Sequence, residues 1–152
     1  MSLEGKPAPS LTLPAIGGDI SIPSRAPMVV YFYPKDDTPG CTTEAKDFTD
    51  TTQQFSDLGV AIVGISPDTL AKHEKFIAKH DLSIQLASDE GQTAAGAFGV
   101  WVEKKMYGKT YMGVERSTFL IDADGVVAKE WRKVRVTGHV DEVLETVKAA
   151  FG

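Results

Sequence analysis

The stretch Met28-Val-Val-Tyr-Phe-Tyr33-Pro34-Lys-Asp-Asp-Thr38-Pro39-Gly40-Cys41-Thr-Thr-Glu44-Ala45 joins a buried strand to the first turn of a helix. Met28–Tyr33 is an unbroken apolar run rich in β-branched and aromatic residues. It has the length of a strand and ends at Pro34, which cannot donate to a β ladder. Thr38 is a natural N-cap, and Pro39 suits the first helical position, where a missing N–H costs nothing. Cys41 therefore falls in the first turn. Ala45, Phe48, Thr52 and Phe55 continue its stripe in steps of four and three, so the sulfur faces the core at the positive end of a helix. Free N–H groups and the macrodipole favour a thiolate in that position.

Working outward, Val60–Ile65 reads as a second buried strand, closed by Ser66-Pro67 as a cap and first helical residue. A helix is expected from Asp68 to Lys79, with Leu70, His73 and Ile77 on one stripe. Ile84–Leu86 reads as a short strand and Glu90–Phe98 as a small helix stopped by Gly99. Ser117–Ile121 and Val126–Trp131 flank Asp122-Ala-Asp-Gly125, whose Asp124-Gly125 step marks a hairpin. Val140, Val143, Leu144, Val147 and Phe151 trace one face of a terminal helix. Strands alternating with helices, then a hairpin and a helix, give an α/β class with a mixed central sheet flanked by helices. Residues 1–152 read as a single domain, with no repeat or low-complexity tract.

A net charge of −5 argues against a general polyanion binder. The basic-aromatic segment Trp101–Met112 is expected to be a loop packing near the pocket rather than a nucleic-acid patch. Nothing near residue 1 reads as an export signal, and no apolar run has the length of a membrane span, so the cytoplasm is the expected compartment. No cofactor is expected, and no His/Asp/Glu pattern has metal-ligand spacing. His73, His80 and His139 are expected in surface or capping roles, Asp36 and Asp37 as turn residues, and Trp131 in core or sheet-edge packing.

The chain contains one cysteine, which excludes an intramolecular disulfide and a Cys-x-x-Cys redox pair. Lone cysteines are commonly inert small hydrophobes, so reactivity has to come from context. Attack on a peroxide calls for a group that steadies the thiolate and polarises the O–O bond. Arginine suits this, since it stays charged and presents a planar fork of donors. Arg116, just before the Ser117–Ile121 strand, is the candidate. Thr38 can offer a hydroxyl to the sulfur or to a bound oxygen, and Gly40 lets a ligand approach the backbone.

Pro34-x-x-x-Thr38-x-x-Cys41 matches the active-site motif of peroxiredoxins. The fuller run Tyr33–Ala45 resembles the Q-type, or bacterioferritin comigratory protein, subfamily. Gly99-Val-Trp101, Glu103–Met112 and Glu115–Asp122 are similar to later blocks of that subfamily, in the same order. The resemblance implies a thioredoxin-like fold, which the order of elements fits. It implies a peroxidatic Cys41 in a pocket formed with Pro34, Thr38 and Arg116, with Glu44 steadying the network.

Many Q-type members carry a resolving cysteine five residues after the peroxidatic one, where this chain has Lys46. Others carry it on the next helix, at the place occupied here by Ile77. The expected function is thus reduction of hydrogen peroxide and organic hydroperoxides by a one-cysteine peroxidase, in antioxidant defence. Its Cys41 sulfenate would be recycled by thioredoxin, glutaredoxin or glutathione, with sulfinate forming when thiol is scarce. The chain is expected to be a monomer or weak homodimer. A redox relay sharing the same thiol is the main alternative; turnover separates the two.

Overall fold

The computed structural model describes residues 2–152. Its centre is a five-stranded mixed sheet built from β3 (Met28–Phe32), β4 (Ala61–Ser66), β5 (Gln85–Ser88), β8 (Ser117–Ile121) and β9 (Val127–Trp131), in the order β5-β4-β3-β8-β9. β4 pairs parallel with β3 and with β5, while β8 runs antiparallel to both β3 and β9. The expected strands are present with small shifts at their ends. The Asp122–Gly125 turn forms as read, with Gly125 N–H donating to the Asp122 carbonyl at 3.0 Å.

Side chains of β3 alternate between two core layers, as a period of two requires. Met28, Val30 and Phe32 pack with Ala94, Ala95 and Phe98 around α3 (Thr93–Ala97) and with a small hairpin, β1 (Leu11–Leu13) and β2 (Ile20–Ile22). Val29, Tyr31 and Tyr33 face the longer helices: α1 (Pro39–Asp57), α2 (Leu70–His80) and α4 (His139–Phe151). Cys41, Ala45, Phe48 and Phe55 lie buried in this second layer and Thr52 is half-buried, so the stripe read from the sequence follows the packed face of α1, to which the structure adds Glu44.

Three sequence expectations are corrected. Helix α2 starts at Leu70, not Asp68: the cap is Thr69, whose Oγ1 accepts from the Lys72 N–H at 3.2 Å. Ser66 belongs to β4, and its hydroxyl goes to Asp68 Oδ2 at 2.9 Å. The segment expected as a loop is a second two-stranded sheet, β6 (Trp101–Met106) with β7 (Lys109–Val114), largely exposed. Its lysines hide any strand period, and beyond its root cross-strand pairing orders it. The small helix is confined to Thr93–Ala97 because Asp89 caps it, its two carboxyl oxygens accepting from the Ala94 and Ala95 N–H groups at 3.0 and 2.9 Å. Among the described residues no helix is long and apolar enough to cross a membrane.

Candidate active site

Antiparallel pairing of β3 with β8 places Ser117 opposite Phe32, so the residue before β8 meets the segment that leaves β3. That residue is Arg116. Its Nη2 donates to Cys41 Sγ at 3.2 Å and its Nη1 to Glu44 Oε1 at 2.7 Å. One planar guanidinium therefore spans an acid on each side, with Cys41 and Glu44 one helical turn apart on α1. Cys41 is buried, and Glu44 has no solvent access at all. Burial works against the charge on Arg116, but Glu44 and then Cys41 outweigh it, and its pKa sits above the ordinary value. Burial drives Glu44 the other way: its carboxyl is pushed up to about 7 although Arg116 opposes the shift.

The start of α1 is set as its sequence dictates. Thr38 is the N-cap in extended backbone (φ −97°, ψ 155°), with Pro39 opening the helix. The Thr38 hydroxyl, however, does not bond the sulfur; it donates to the Lys35 carbonyl at 2.9 Å and closes the loop on itself. Pro34 and Thr38 in this loop, and Gly40 in the first turn of α1, are half-buried. A Cβ at Gly40 would stand 3.2 Å from Arg116 Nη2, so a side chain there would crowd the guanidinium. Lys46 is exposed, while Ile77 is half-buried against the second core layer.

Sequence reasoning missed Tyr31. Its ring stacks on Phe48 at 4.7 Å between centroids, and its hydroxyl is buried with no partner in the protein, as is Glu44 Oε2. Burial raises the Tyr31 pKa well above the usual phenol value, and the nearby Glu44 and Cys41 raise it further. The ring fits because residue 64 is glycine: a Cβ there would lie 2.7 Å from Tyr31 Cζ and Oη. A glycine inside an apolar strand signals close approach, and that was the available clue.

His73 and His139 depart from the surface or capping roles expected of them, and Asp36, a turn residue as expected, is buried beside His73. His73 is fully buried, with Nδ1 2.6 Å from Asp36 Oδ2 and Nε2 2.9 Å from the Ala87 carbonyl. Tyr33 donates its hydroxyl to Asp36 Oδ1 at 2.5 Å, and the Asp36 N–H donates to Asp68 Oδ2 at 2.8 Å. This network ties the loop leading to Cys41 onto α2 and β5. Asp37 is the exposed turn residue it was read as, paired with Lys79 and His80. His139 is likewise buried against Thr118, with Nε2 2.8 Å from its hydroxyl, and burial lowers its pKa to about 4. Trp131 sits half-buried on the edge strand β9, as expected. Among the described residues no group of three metal-ligating side chains converges.

A buried sulfur one hydrogen bond from a fixed cation is equipped to act as a nucleophile whose charge is held in place. The comparisons agree with that chemistry. Residues 5–130 match the AhpC/TSA family. Peroxiredoxin Bcp of Bacillus subtilis (strain 168) is 51% identical over 152 residues, covering 97% of each chain. A putative peroxiredoxin of Coxiella burnetii is 47% identical, covering 95% of this chain and 98% of its own. Among solved structures, Xanthomonas campestris peroxiredoxin Q superposes with a TM-score of 0.88 at 44% identity, covering 93% of this chain and 92% of that one. A cysteine-to-serine variant of Xylella fastidiosa PrxQ gives 0.89 at 34% identity, with 99% of each chain covered.

Proposed function

The chain belongs to the AhpC/TSA family and is a thiol-dependent peroxidase of the Bcp and peroxiredoxin Q type, with a thioredoxin-like fold, and from that premise we propose that Cys41 is the sulfur that attacks the hydroperoxide. The observation that carries this reading is the 3.2 Å contact between Arg116 Nη2 and Cys41 Sγ.

In the proposed reaction the Cys41 thiolate attacks the terminal oxygen of ROOH in line with the O–O bond. The S–O bond forms as O–O breaks, RO⁻ departs and takes up a proton, and Cys41 is left as Cys–SOH. Arg116 holds the thiolate and offers its fork to the oxygens where negative charge develops. Glu44 holds Arg116 in that pose through the 2.7 Å bond. Gly40 leaves the guanidinium its space, and the loop carrying Pro34 and Thr38 shapes the entrance. Hydrogen peroxide and organic hydroperoxides are the proposed substrates.

The single cysteine leaves no second sulfur in the chain, so an outside thiol must complete the cycle. It condenses with Cys–SOH, releasing water and forming a mixed disulfide. A second thiol then attacks the outer sulfur and frees Cys41. Thioredoxin, glutaredoxin and glutathione are the proposed reductants, in the cytoplasm, where thiols are kept reduced. The chain is proposed to act as a monomer or weak homodimer of a single domain over residues 1–152.

The test is peroxide loss with each reductant, comparing the wild type with Cys41→Ser. Turnover confined to the wild type is expected; equal consumption by both would remove Cys41 from the mechanism.

A further inference from the structure

The β6–β7 sheet is held to the body at one end and free at the other. Trp101 and Val114 pair at its root, where Val114 is buried and Trp101 packs on the core. Beyond them the strands project with both faces open. The large hydrophobic side chains exposed among the described residues are Met106, Tyr107, Tyr111 and Met112, all on this hairpin, with Tyr107 at 95% exposure. The same hairpin carries Lys104, Lys105 and Lys109 against Glu103 alone, a basic island on a chain of net charge −5. The pairs Lys104 with Tyr111 and Met106 with Lys109 lie directly opposite in the register. One face of the hairpin is therefore apolar and cationic together. An apolar patch of this kind on a soluble body marks a contact surface.

Position says what the surface is for. After Val114 the chain runs through Glu115 into Arg116, whose guanidinium touches Cys41, and the Glu115 N–H is tied to the Val100 carbonyl at 2.8 Å. The root of the hairpin is therefore continuous in sequence with the arginine that touches the sulfur. The cycle lacks one component, a thiol from another molecule. A two-stranded sheet also leaves backbone N–H and C=O groups unpaired along both edges. A protein surface can satisfy those groups and a lipid interior cannot.

We propose that the β6–β7 hairpin is the docking surface for a protein reductant, one whose reactive cysteine lies in an apolar surface of net negative charge. This rests on Cys41 being the peroxidatic sulfur. Lysines bring the acidic partner in, Met and Tyr side chains bury against its apolar rim, and its thiol meets the Cys41 sulfenate to form the mixed disulfide with loss of water. A small thiol gains nothing from the hairpin.

The experiment follows steady-state peroxide reduction with thioredoxin and its reductase, with glutaredoxin and glutathione, and with dithiothreitol. It compares the wild type with Lys104→Glu plus Lys109→Glu, and with Met106→Ser plus Tyr107→Ser. The KM for at least one protein reductant is expected to rise about tenfold in each double variant, while dithiothreitol turnover stays unchanged. Added salt should raise that KM in the wild type and leave it flat in the charge variant. An unchanged KM for both proteins overturns the proposal, as does a wild type served by dithiothreitol and by neither protein. So does hairpin-dependent binding to phosphatidylglycerol vesicles, or hairpin-dependent dimerisation in light scattering, without any effect on the protein KM. Loss of turnover with dithiothreitol as well, in the wild type, would instead sink the Cys41 assignment, which keeps the two failures apart.

Discussion

Arg116 Nη1 lies 2.7 Å from Oε1 of Glu44, a carboxyl group sealed from solvent, while the neighbouring nitrogen of the same fork holds Cys41. The pair positions the cation and at the same time exposes the fold to the loss of either member. Arg116→Ala should slow sulfenate formation by about 10²–10³-fold, the range for removing a donor aimed at developing charge. It should also destabilise the fold, because Glu44 is left buried and alone. Adding Glu44→Gln to Arg116→Ala should recover much of that stability and none of the rate. Rapid-mixing kinetics and urea midpoints read the two effects separately.

Stability should fall as pH rises from about 4.5 to about 7 and level off above that. Glu44 has its carboxyl raised from 4.5 to about 7 in the fold, so between those values the folded protein holds a proton that the unfolded chain has released. The contribution is complete below 4.5 and is lost as pH passes 7, with a magnitude of about 3 kcal/mol. Urea unfolding between pH 4.5 and 8.5 should show this slope in the wild type and a flatter profile in Glu44→Gln.

Tyr31 and Gly64 form a size lock beneath the site. Gly64→Ala would put a methyl group 2.7 Å from the Tyr31 ring and 2.8 Å from Leu86 Cδ2, and should cost about 1–3 kcal/mol. Tyr31→Phe deletes a buried hydroxyl that has no protein partner, and should leave stability unchanged or raise it by about 1 kcal/mol. Thermal melts distinguish the two signs.

The Asp36–His73 contact should be worth more than either residue suggests on the surface. His73→Phe leaves Asp36 Oδ2 and the Ala87 carbonyl without their His73 partner, and a loss of about 1–3 kcal/mol is expected for each buried group left unpaired. A double-mutant cycle with Asp36→Asn should return a coupling of about 2 kcal/mol, and additivity would mean the two do not communicate.

Excess peroxide without thiol should inactivate the enzyme. With no second cysteine in the chain, sulfenate at Cys41 waits for an outside partner and climbs to sulfinate. Intact-mass spectra should gain two oxygens, and later addition of dithiothreitol should not restore activity.

Much of the reacting centre was legible because its signals are local. Thr38, Pro39 and the Cys41–Phe55 stripe lie in consecutive turns of one helix, and proline and threonine punctuation fixes where it starts. Arg116 was found by its chemistry, but its contact with Cys41 depends on the register of β3 against β8, which pairs residues far apart in sequence. His73 shows the limit. Its helix stripe was read as Leu70, His73 and Ile77, which leaves out the fully buried Phe76, and its partner Asp36 sits in a turn whose composition reads as solvent-facing, so only folding brings the two to 2.6 Å. The three-residue strands β1 and β2 are too short to show a period. In β6 and β7 lysines fill positions that alternation would make apolar, so pairing was invisible until the strands were seen side by side.

The antiparallel seating of β8 beside β3 has a consequence for how the protein is made. Synthesis delivers Cys41 long before Arg116, and the neighbours of Cys41 on α1 and β3 can pack around it early. The guanidinium arrives only when the strand opening at Ser117 has emerged and zipped against Phe32. Until that moment the nascent chain carries its sulfur without the cation that gives it purpose. The sulfur and its cation are thus joined by a strand made well after the helix that bears the sulfur.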